Sequence, residues 1–472
     1  MRNCLLKNSA AVALCLLCWE LFPVWAQGKA TDEPLLAGEP EGSRVFRRKD
    51  MPGFGVTELT FMNGVQVALK PTDFKNDQIL FCGFSPGGTS VYADEDYMSA
   101  MTASGIVSLS GLGNFNREEL DRKLAGNTAR LSPYISNLFE GVNGTTAPKD
   151  IETILQLNYL YFTGIRRDED AFAAYVSSIR NQAKSMKNNP LYVHRDTLYK
   201  IMTCNDPRTV IIPSGEQIDR IRQDNALYVF QDRFANAGDF KFIVAGKFNV
   251  QEIIPLLEKY LGGLPVKQRK ETWRNVTPPF PQGIVRFDDT RGTGRQTHMG
   301  IIIKGNFRWR YKERLAFTVM TDMLRLKLKE AMEEEQGETH NVTLTSDATA
   351  FPKPGYSISI QWSCAPQNSE KMITAVFAEM KNLKNSPTET DLRKAKETLV
   401  RNREAGMKEN EWWMNALQHY YQQNDKLMTQ QEYGKSVQSI TTRDVKNIAR
   451  KYLNENNCLI SRLIPEESVM EN

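Results

Sequence analysis

The side chains in this chain that could coordinate a metal, attack a substrate or carry a proton are few, and their spacing argues against most of that chemistry. There are four histidines, His194, His298, His340 and His419, and no two lie close enough in sequence to share one face of a helix. A helix that grips zinc needs two imidazoles at i and i+4, where both point the same way. Of seven cysteines, three fall within the first 26 residues, which read as a cleaved export signal; the four that remain, Cys82, Cys204, Cys364 and Cys458, are far apart and form no C-x-x-C pair, which argues against a zinc ribbon or a redox centre. Cys82 and Cys364 fall in apolar, strand-like runs, where a free thiol behaves as a small hydrophobe. Spacing alone assigns no disulfide among the four. Gly87-Gly88 is a turn and not a phosphate cradle, since no G-x-x-x-x-G-K follows. His194 and His298 read as structural or exposed, and surface carboxylates without imidazole or thiolate hold only hard ions, weakly. The sequence therefore predicts no catalytic and no metal-ligating residue.

The elements that would have to position any site are easier to read. Asp239–Pro265 compresses a strand, a turn and a helix into one short stretch. Phe240, Phe242 and Val244 alternate with Lys241 and Ile243, which suits a sheet covered by helices on its second face. Gly246 permits the turn, Asn249 can cap the helix, and Ile253, Ile254, Leu257, Tyr260 and Leu261 recur at helical spacing before Gly262-Gly263 and Pro265 end it. Earlier, two alternating runs within Val56–Thr72 meet at Met62-Asn63-Gly64, a hairpin signal. A strand over Gln78–Phe84 leads to Gly87-Gly88. Helices near Asp94–Val107 and Arg117–Ala125, strands over Thr128–Ile135 and Leu138–Thr146, and helices over Ile151–Thr163 and Glu169–Asn188 follow. The charged, proline-rich stretch 266–283 reads as a linker. Beyond it the order repeats in outline, with strands at Ile284–Asp288 and His298–Ile303, a long helix from Arg310 to about Glu335, strands at Thr339–Ser346 and Gly355–Cys364, more helices and a last strand, Cys458–Ile464. The fold class is thus α+β, with two tandem units, each a mainly antiparallel sheet packed against helices: residues 55–265 and 284–466, with a tail at 467–472.

The 472 residues are 41% hydrophobic and 25% charged, ordinary values for a globular chain able to bury a large core. Sixty Lys and Arg against 56 Asp and Glu leave a net +4 without a basic block interleaved with aromatics, so nucleic acid is not an expected partner. The cluster Arg44, Arg47, Arg48, Lys49 reads as a solvated arm within a flexible leader at 27–54. Residues 1–26 read as an export signal, with Arg2 and Lys7 before the apolar run Ala10–Leu17 and a cut after Ala26, which predicts a secreted or periplasmic protein. No later segment approaches the roughly 20 apolar residues of a membrane span. Asn143-Gly-Thr, Asn275-Val-Thr and Asn341-Val-Thr match the glycan sequon, a pattern common by chance. Trp412, Trp413, Tyr420 and Tyr421 either pack a helix on the core, the reading favoured here, or line a binding wall.

Five pieces in the right order carry a resemblance to the insulinase/pitrilysin family of inverzincin metallopeptidases, from about Thr57 to Ile464. They are ELTFMNGVQVALKPT, FSPGGTSVYADED, the Asp239–Pro265 ending, the long helix leading to EEEQGETHNVTL, and PGYSISIQWSCAP. LSGLGNFNREELDRKLAGNTARLSPYIS looks most like the third domain of long periplasmic members, so the chain would correspond to their non-catalytic C-terminal half. The resemblance implies H-x-x-E-H on the helix after the Gly-Gly turn, with a further glutamate completing the zinc site. That place here holds EDYMSAMTASGIVSLSG, with Asp94, Glu95 and Asp96 as its only nearby carboxylates. The family's second domain also carries an arginine and a tyrosine, in R-E-x-x-G-x-T-Y, that hold the substrate carbonyl. Aligned on Gly337 and Thr339, Glu333 stands at the arginine and His340 at the tyrosine. An ionised glutamate cannot donate to a carbonyl, whereas His340 can. Glu333 and His340 are the candidate peptide-contact positions, with a solvated helix face as the plain alternative for Glu333–Glu335.

What the resemblance implies is a catalytically silent subunit, not an enzyme by itself, that supplies the non-metal half of a peptide-degrading clamshell. Its expected partners are a family subunit bearing H-x-x-E-H, which would carry the only zinc, and unfolded peptides bound by strand addition at a sheet edge. The alternatives are a stand-alone peptide-binding or scaffold protein of the same fold, and the remnant of a longer zinc peptidase.

Overall fold

The computed structural model describes residues 33–336 and 342–466. The expected export signal and its cut, Gly337, Thr339, His340 and the 467–472 tail lie outside the described residues. So does the Glu333 side chain, although its backbone belongs to a helix.

The first half of the chain runs β1 (Val45–Met51), β2 (Val56–Phe61), β3 (Gln66–Pro71), β4 (Ile79–Pro86), α1 (Tyr97–Leu109), α2 (Arg117–Lys123), β5 (Arg130–Ile135) and β6 (Phe139–Thr146). It continues through α3 (Ile151–Thr163), α4 (Glu169–Lys187), α5 (Pro190–Met202), α6 (Gly215–Asp219), α7 (Gln223–Arg233), β7 (Lys241–Gly246) and α8 (Val250–Tyr260). The second half runs β8 (Ile284–Gly292), β9 (Thr297–Asn306), α9 (Tyr311–Gln336), β10 (Thr343–Thr349), β11 (Gly355–Cys364), α10 (Ser369–Asn385), α11 (Glu389–Gly406), α12 (Asn410–Gln423), α13 (Gln430–Gln438), α14 (Thr442–Tyr452) and β12 (Cys458–Pro465).

One sheet has the order β1-β2-β3-β7-β4-β6-β5, and the other, taken from its β8 edge, β8-β12-β9-β11-β10. The five strands of the second sheet match β3-β7-β4-β6-β5 position for position. Among the described residues each sheet has one parallel pair, and it occupies the same place in both, β3 with β7 and β8 with β12. The tandem repeat is therefore one α+β topology used twice, with β1 and β2 added to the outer edge of the first copy. Asn63 and Gly64 make the turn between β2 and β3, with Gly64 at φ +88° and the Asn63 amide donating to the Leu261 carbonyl at 3.0 Å. Asn249 caps α8 by accepting from the Gln251 amide at 2.8 Å.

Each sheet buries one face under its own helices. In the first copy Phe61, Val67, Leu69, Phe81, Phe242 and Val244 meet α1, α3 and α7; in the second Ile301, Ile303, Ile358 and Ile360 meet α9, α10 and α14. The other faces are covered by exchange. Met414 and Leu417 of α12 sit on Val56, Ala68, Cys82, Phe84, Ile243 and Ala245 of the first sheet. Leu198 of α5, with Ile201 and Met202, sits on Ile302, Leu459, Val285 and Phe287 of the second. Both α5 and α12 are the third helix after the matching strand, so the exchange is reciprocal.

Polar contacts fix both dockings. Asn410, wholly buried at the head of α12, donates to Gln78 Oε1 at 3.0 Å and accepts from Thr72 Oγ1 at 2.6 Å. Lys70 lies 4.2 Å from the Trp413 ring centre and Lys241 4.1 Å from that of Tyr421. On the other side His194 stacks on Phe287, with centroids 4.9 Å apart, and its Nδ1 is 3.4 Å from Asp289 Oδ2. Burial holds His194 below its ordinary value, only partly offset by Asp289.

One expectation is corrected. The leader at 27–54 is not wholly without structure, because Val45–Met51 forms edge strand β1, antiparallel to β2. Its side chains are exposed on both faces, so it lacks the apolar alternation that betrays a strand, and the backbone ladder holds it instead. Residues 266–283 contain no helix or strand up to Gly283, yet they are tied down along the first half by the contacts described below. Trp412, Trp413, Tyr420 and Tyr421 follow the packing reading in part: Trp413 is buried, and Tyr421 donates to Glu58.

Removing apolar bulk where α12 docks tests the exchange. Leu417→Ala should lower unfolding stability by about 2–5 kcal/mol, read as a shift in urea midpoint. A change below about 0.5 kcal/mol would mean that α12 contributes little to holding the halves together.

Candidate functional site

The place where this fold would be expected to hold zinc is α1, entered from the Gly87-Gly88 turn at the end of β4. Gly88 has φ +59°, and a Cβ there would fall 2.2 Å from the Ser136 carbonyl oxygen, so the close turn requires glycine. Tyr97 and Met101 stand at i and i+4 on α1 and are buried. Along the helix only tyrosine, methionine, serine, threonine and apolar side chains occur, none of them an imidazole or carboxylate. The three acids before it are not gathered either. Asp94 accepts from Arg208 Nε at 2.6 Å, Asp96 accepts from Asn225 at 2.9 Å, and Glu95 is exposed. Arg208 also donates to the Thr89 and Tyr92 carbonyls, and its guanidinium lies 5.4 Å from the Tyr97 ring centre. This donor set does not fit zinc, which takes thiolate, imidazole and carboxylate ligands in a fixed geometry. Among the described residues no three His, Cys, Asp or Glu side chains are grouped to hold a metal ion.

The remaining histidines are not brought together in such a group. His298 is exposed with Nδ1 2.9 Å from Ser363 Oγ, and His419 is exposed with Nε2 3.3 Å from Asp425 Oδ2. Cys82, Cys364 and Cys458 are buried free thiols and Cys204 an exposed one. Burial pushes the Cys82 thiol up to about 12, which keeps it protonated and inert.

What the structure does assemble beside the Gly-Gly turn is a buried charge cluster drawn from β6, α7, the 3-10 turn after Gly87 and the 266–283 segment. Glu140 Oε2 accepts from the Gly88 amide at 2.6 Å. Arg233, 3% exposed, donates from Nε to the Tyr92 hydroxyl at 2.9 Å and from one terminal nitrogen to Asp232 and to Glu271, the latter at 2.9 Å. Tyr92 and Arg269 donate to the Asp232 carboxylate, each at 2.7 Å. The Arg274 amide donates to Ser90 Oγ at 2.9 Å. The other Arg233 terminal nitrogen is buried without a hydrogen bond, facing Gly87. A Cβ at Gly87 would lie 2.3 Å from that nitrogen and 3.1 Å from Glu140 Oε2, so Gly87 sits between the two charges.

The cluster's electrostatics follow from burial. Glu140 is pushed up to about 8, because burial outweighs both Arg233 and the Gly88 amide. Burial alone would also raise Asp232, but Arg233, Tyr92 and Arg269 hold it well below the carboxylate range. Built around the buried Arg233 and Glu140, with Asp232, Arg269 and Glu271 half-buried at its rim, this arrangement clamps 266–274 across the Gly-Gly turn. Sequence reasoning missed it because its members are scattered over four segments and only the Asp232-Arg233 pair stands out locally.

A carboxyl group raised in the folded state binds more protons there than in the unfolded chain, so stability falls as pH rises from its ordinary 4.5 towards about 8. Glu140→Gln keeps an acceptor for the Gly88 amide and removes the titration. It should flatten the decline of stability across that window, measured by urea unfolding at several pH values. An unchanged slope in the variant would show that Glu140 is ionised in the native state.

Comparison with known proteins fits this geometry. Residues 224–399 match the family model described as the Peptidase M16 inactive domain. The zinc protease PQQL-like of Arabidopsis thaliana is 25% identical over 413 residues, covering 83% of this chain and 40% of that protein. This chain spans between 34% and 43% of the length of the curated relatives that it matches. The crystal structure of the periplasmic protease PqqL from Escherichia coli superposes with a TM-score of 0.77 at 17% identity, over 94% of this chain and 49% of that one. A protease structure from Helicobacter pylori superposes with a TM-score of 0.72 at 14% identity, over 89% of this chain and all of that one. At these identities the superpositions carry the fold alone. The family model over residues 224–399 and the sequence relatives liken this chain to the insulinase/pitrilysin (peptidase M16) family, and the superposed structures share its fold.

Proposed function

We propose that this chain is a catalytically silent family subunit that forms the non-metal half of a peptide-degrading clamshell. A partner bearing H-x-x-E-H would supply the zinc and the hydrolysis, while this chain supplies chamber wall and peptide contacts. The observation that carries the reading is α1, which keeps its place after the Gly-Gly turn but offers neither imidazole nor carboxylate. The match to a family model for an inactive domain supports it. The strand after α2 is the open edge β5, and its counterpart β10 is the open edge of the second sheet. Either edge can take an extended peptide by backbone pairing, which reads main chain more than side chain. Pro133 within β5 removes one donor from that strand, so β10 is the better-equipped edge.

No helix among the described residues is long and apolar enough to cross a membrane. Export to the periplasm or beyond belongs to this proposal, supported by the N-terminal segment and by the E. coli relative, which is itself periplasmic. A second reading, a peptide-binding scaffold that works without a peptidase, is favoured by Glu333 and His340 standing where the family's arginine and tyrosine would be.

Affinity purification of the exported protein from its own cells tests the choice. The subunit reading expects co-purification of an H-x-x-E-H family member and chelator-sensitive peptide cleavage by the pair, with no zinc retained and no cleavage by this chain after dialysis. A monomer that captures no such peptidase yet binds peptides would leave the scaffold reading. One tightly held zinc per chain would overturn both.

A further inference from the structure

The first sheet ends in an edge that the repeat does not explain. β1 has no counterpart in the second copy, pairs only with β2, and exposes both faces. Among the described residues no strand pairs with its other side, although the Val45 amide at its start donates to Glu258 Oε1 at 2.8 Å. Arg47, Lys49 and Met51 alternate along it, so they share one face, the one over which α12 docks.

Two clefts follow that face. The first, about 180 Å³, is lined by Arg47, Lys49, Glu58, Thr60, Gln66 and Lys241. Lys49 and Lys241 contact Glu58 at 3.2 and 3.5 Å, while Arg47 makes no ion pair among the described residues, which leaves excess positive charge. The second cleft, about 370 Å³, opens at the end of β1 between Met51, Phe54, Tyr420 and Leu427, with Asp425 and Lys426 at its polar side. From Lys49 to Met51 is one strand repeat, about 6.8 Å, the spacing of side chains i and i+2 in an extended peptide.

We propose that the open edge of β1 docks an extended segment of a partner protein that carries an acidic side chain two residues from a bulky apolar one. The segment pairs with the β1 backbone. Its carboxylate pairs with Arg47 and Lys49 at the β1 wall of the first cleft, and its apolar side chain enters the Met51–Phe54–Tyr420–Leu427 cleft. Charge selects this occupant over a second copy of the chain. Antiparallel pairing of β1 with itself about Arg48 would set Arg47 opposite Lys49, a like-charge contact that opposes pairing. Positive charge on an edge is also the usual guard against self-association, but the guard needs no clefts on alternate residues.

The test is fluorescence anisotropy of a labelled, capped octapeptide of alternating Thr and Val with a central Glu-Thr-Phe, titrated with the full chain. Binding should weaken as salt is raised. It should fall about tenfold or more with Lys in place of Glu, with Ser in place of Phe, and in the Arg47→Glu/Lys49→Glu variant. Backbone N-methylation of the peptide should abolish it. A melting curve for the variant, together with the milder Arg47→Ala, separates loss of the site from loss of the fold. Absence of binding, equal binding of the Lys peptide, or a folded charge-swapped variant that binds normally would each overturn the proposal. No peptidase partner enters the assay, so its failure leaves the clamshell reading intact.

Discussion

The reciprocal placement of α5 and α12 is the constraint on which the rest of the molecule depends. A sheet covered by helices on one face still has a second face, and here Ile243 and Ala245 of β7, like Ile302 and Leu459 on β9 and β12, are apolar on it. Left in water, such a face would cost roughly 25 cal/mol per Å² of apolar surface. Each copy covers the other's face with its own third helix, so neither sheet is complete without the opposite half. The polar contacts at both dockings, Asn410 with Gln78 and Thr72 on one side and His194 with Asp289 on the other, add direction to what burial alone would leave free to slide.

Within that frame α1 carries neither imidazole nor carboxylate along its length. Replacing two imidazoles on α1 leaves no hole, because Tyr97 and Met101 are buried and Arg208 lies over the Tyr97 ring. Beside it, the Arg233 cluster ties the 266–274 segment across the glycine turn. Such a cluster is high-stakes, since truncating one partner of a buried ion pair strands the other charge. The side chains of α1 are thus taken up by packing.

The two open edges of the repeat, β5 and β10, are equivalent by topology but not by chemistry, because Pro133 subtracts a donor from one of them. β1 differs from both, being an addition to the first copy whose side chains are charged where the repeat's strands are apolar. Sheet edges are the natural place for this fold to meet other polypeptides, since inner strands pair with a neighbour on both sides.

Most of the architecture was legible in the sequence because it is written in local chemistry. The Asn63-Gly64 turn, the Phe242/Val244 alternation and the Asn249 cap each act over a few residues, and a hydrophobic period survives whatever the distant contacts are. The lack of an i, i+4 histidine pair is likewise a local property of the sequence. What the tertiary structure alone decided has the opposite character. β1 is held by a backbone ladder and carries no burial pattern to read. Glu140, Tyr92, Arg233 and Glu271 come from segments far apart in the chain. The covering of one sheet by a helix of the other half has no signature in α12 beyond an apolar stripe, which says that Met414 and Leu417 are buried but not against what. Periodicity fixes which side chains must leave water; only the packed structure determines where they go.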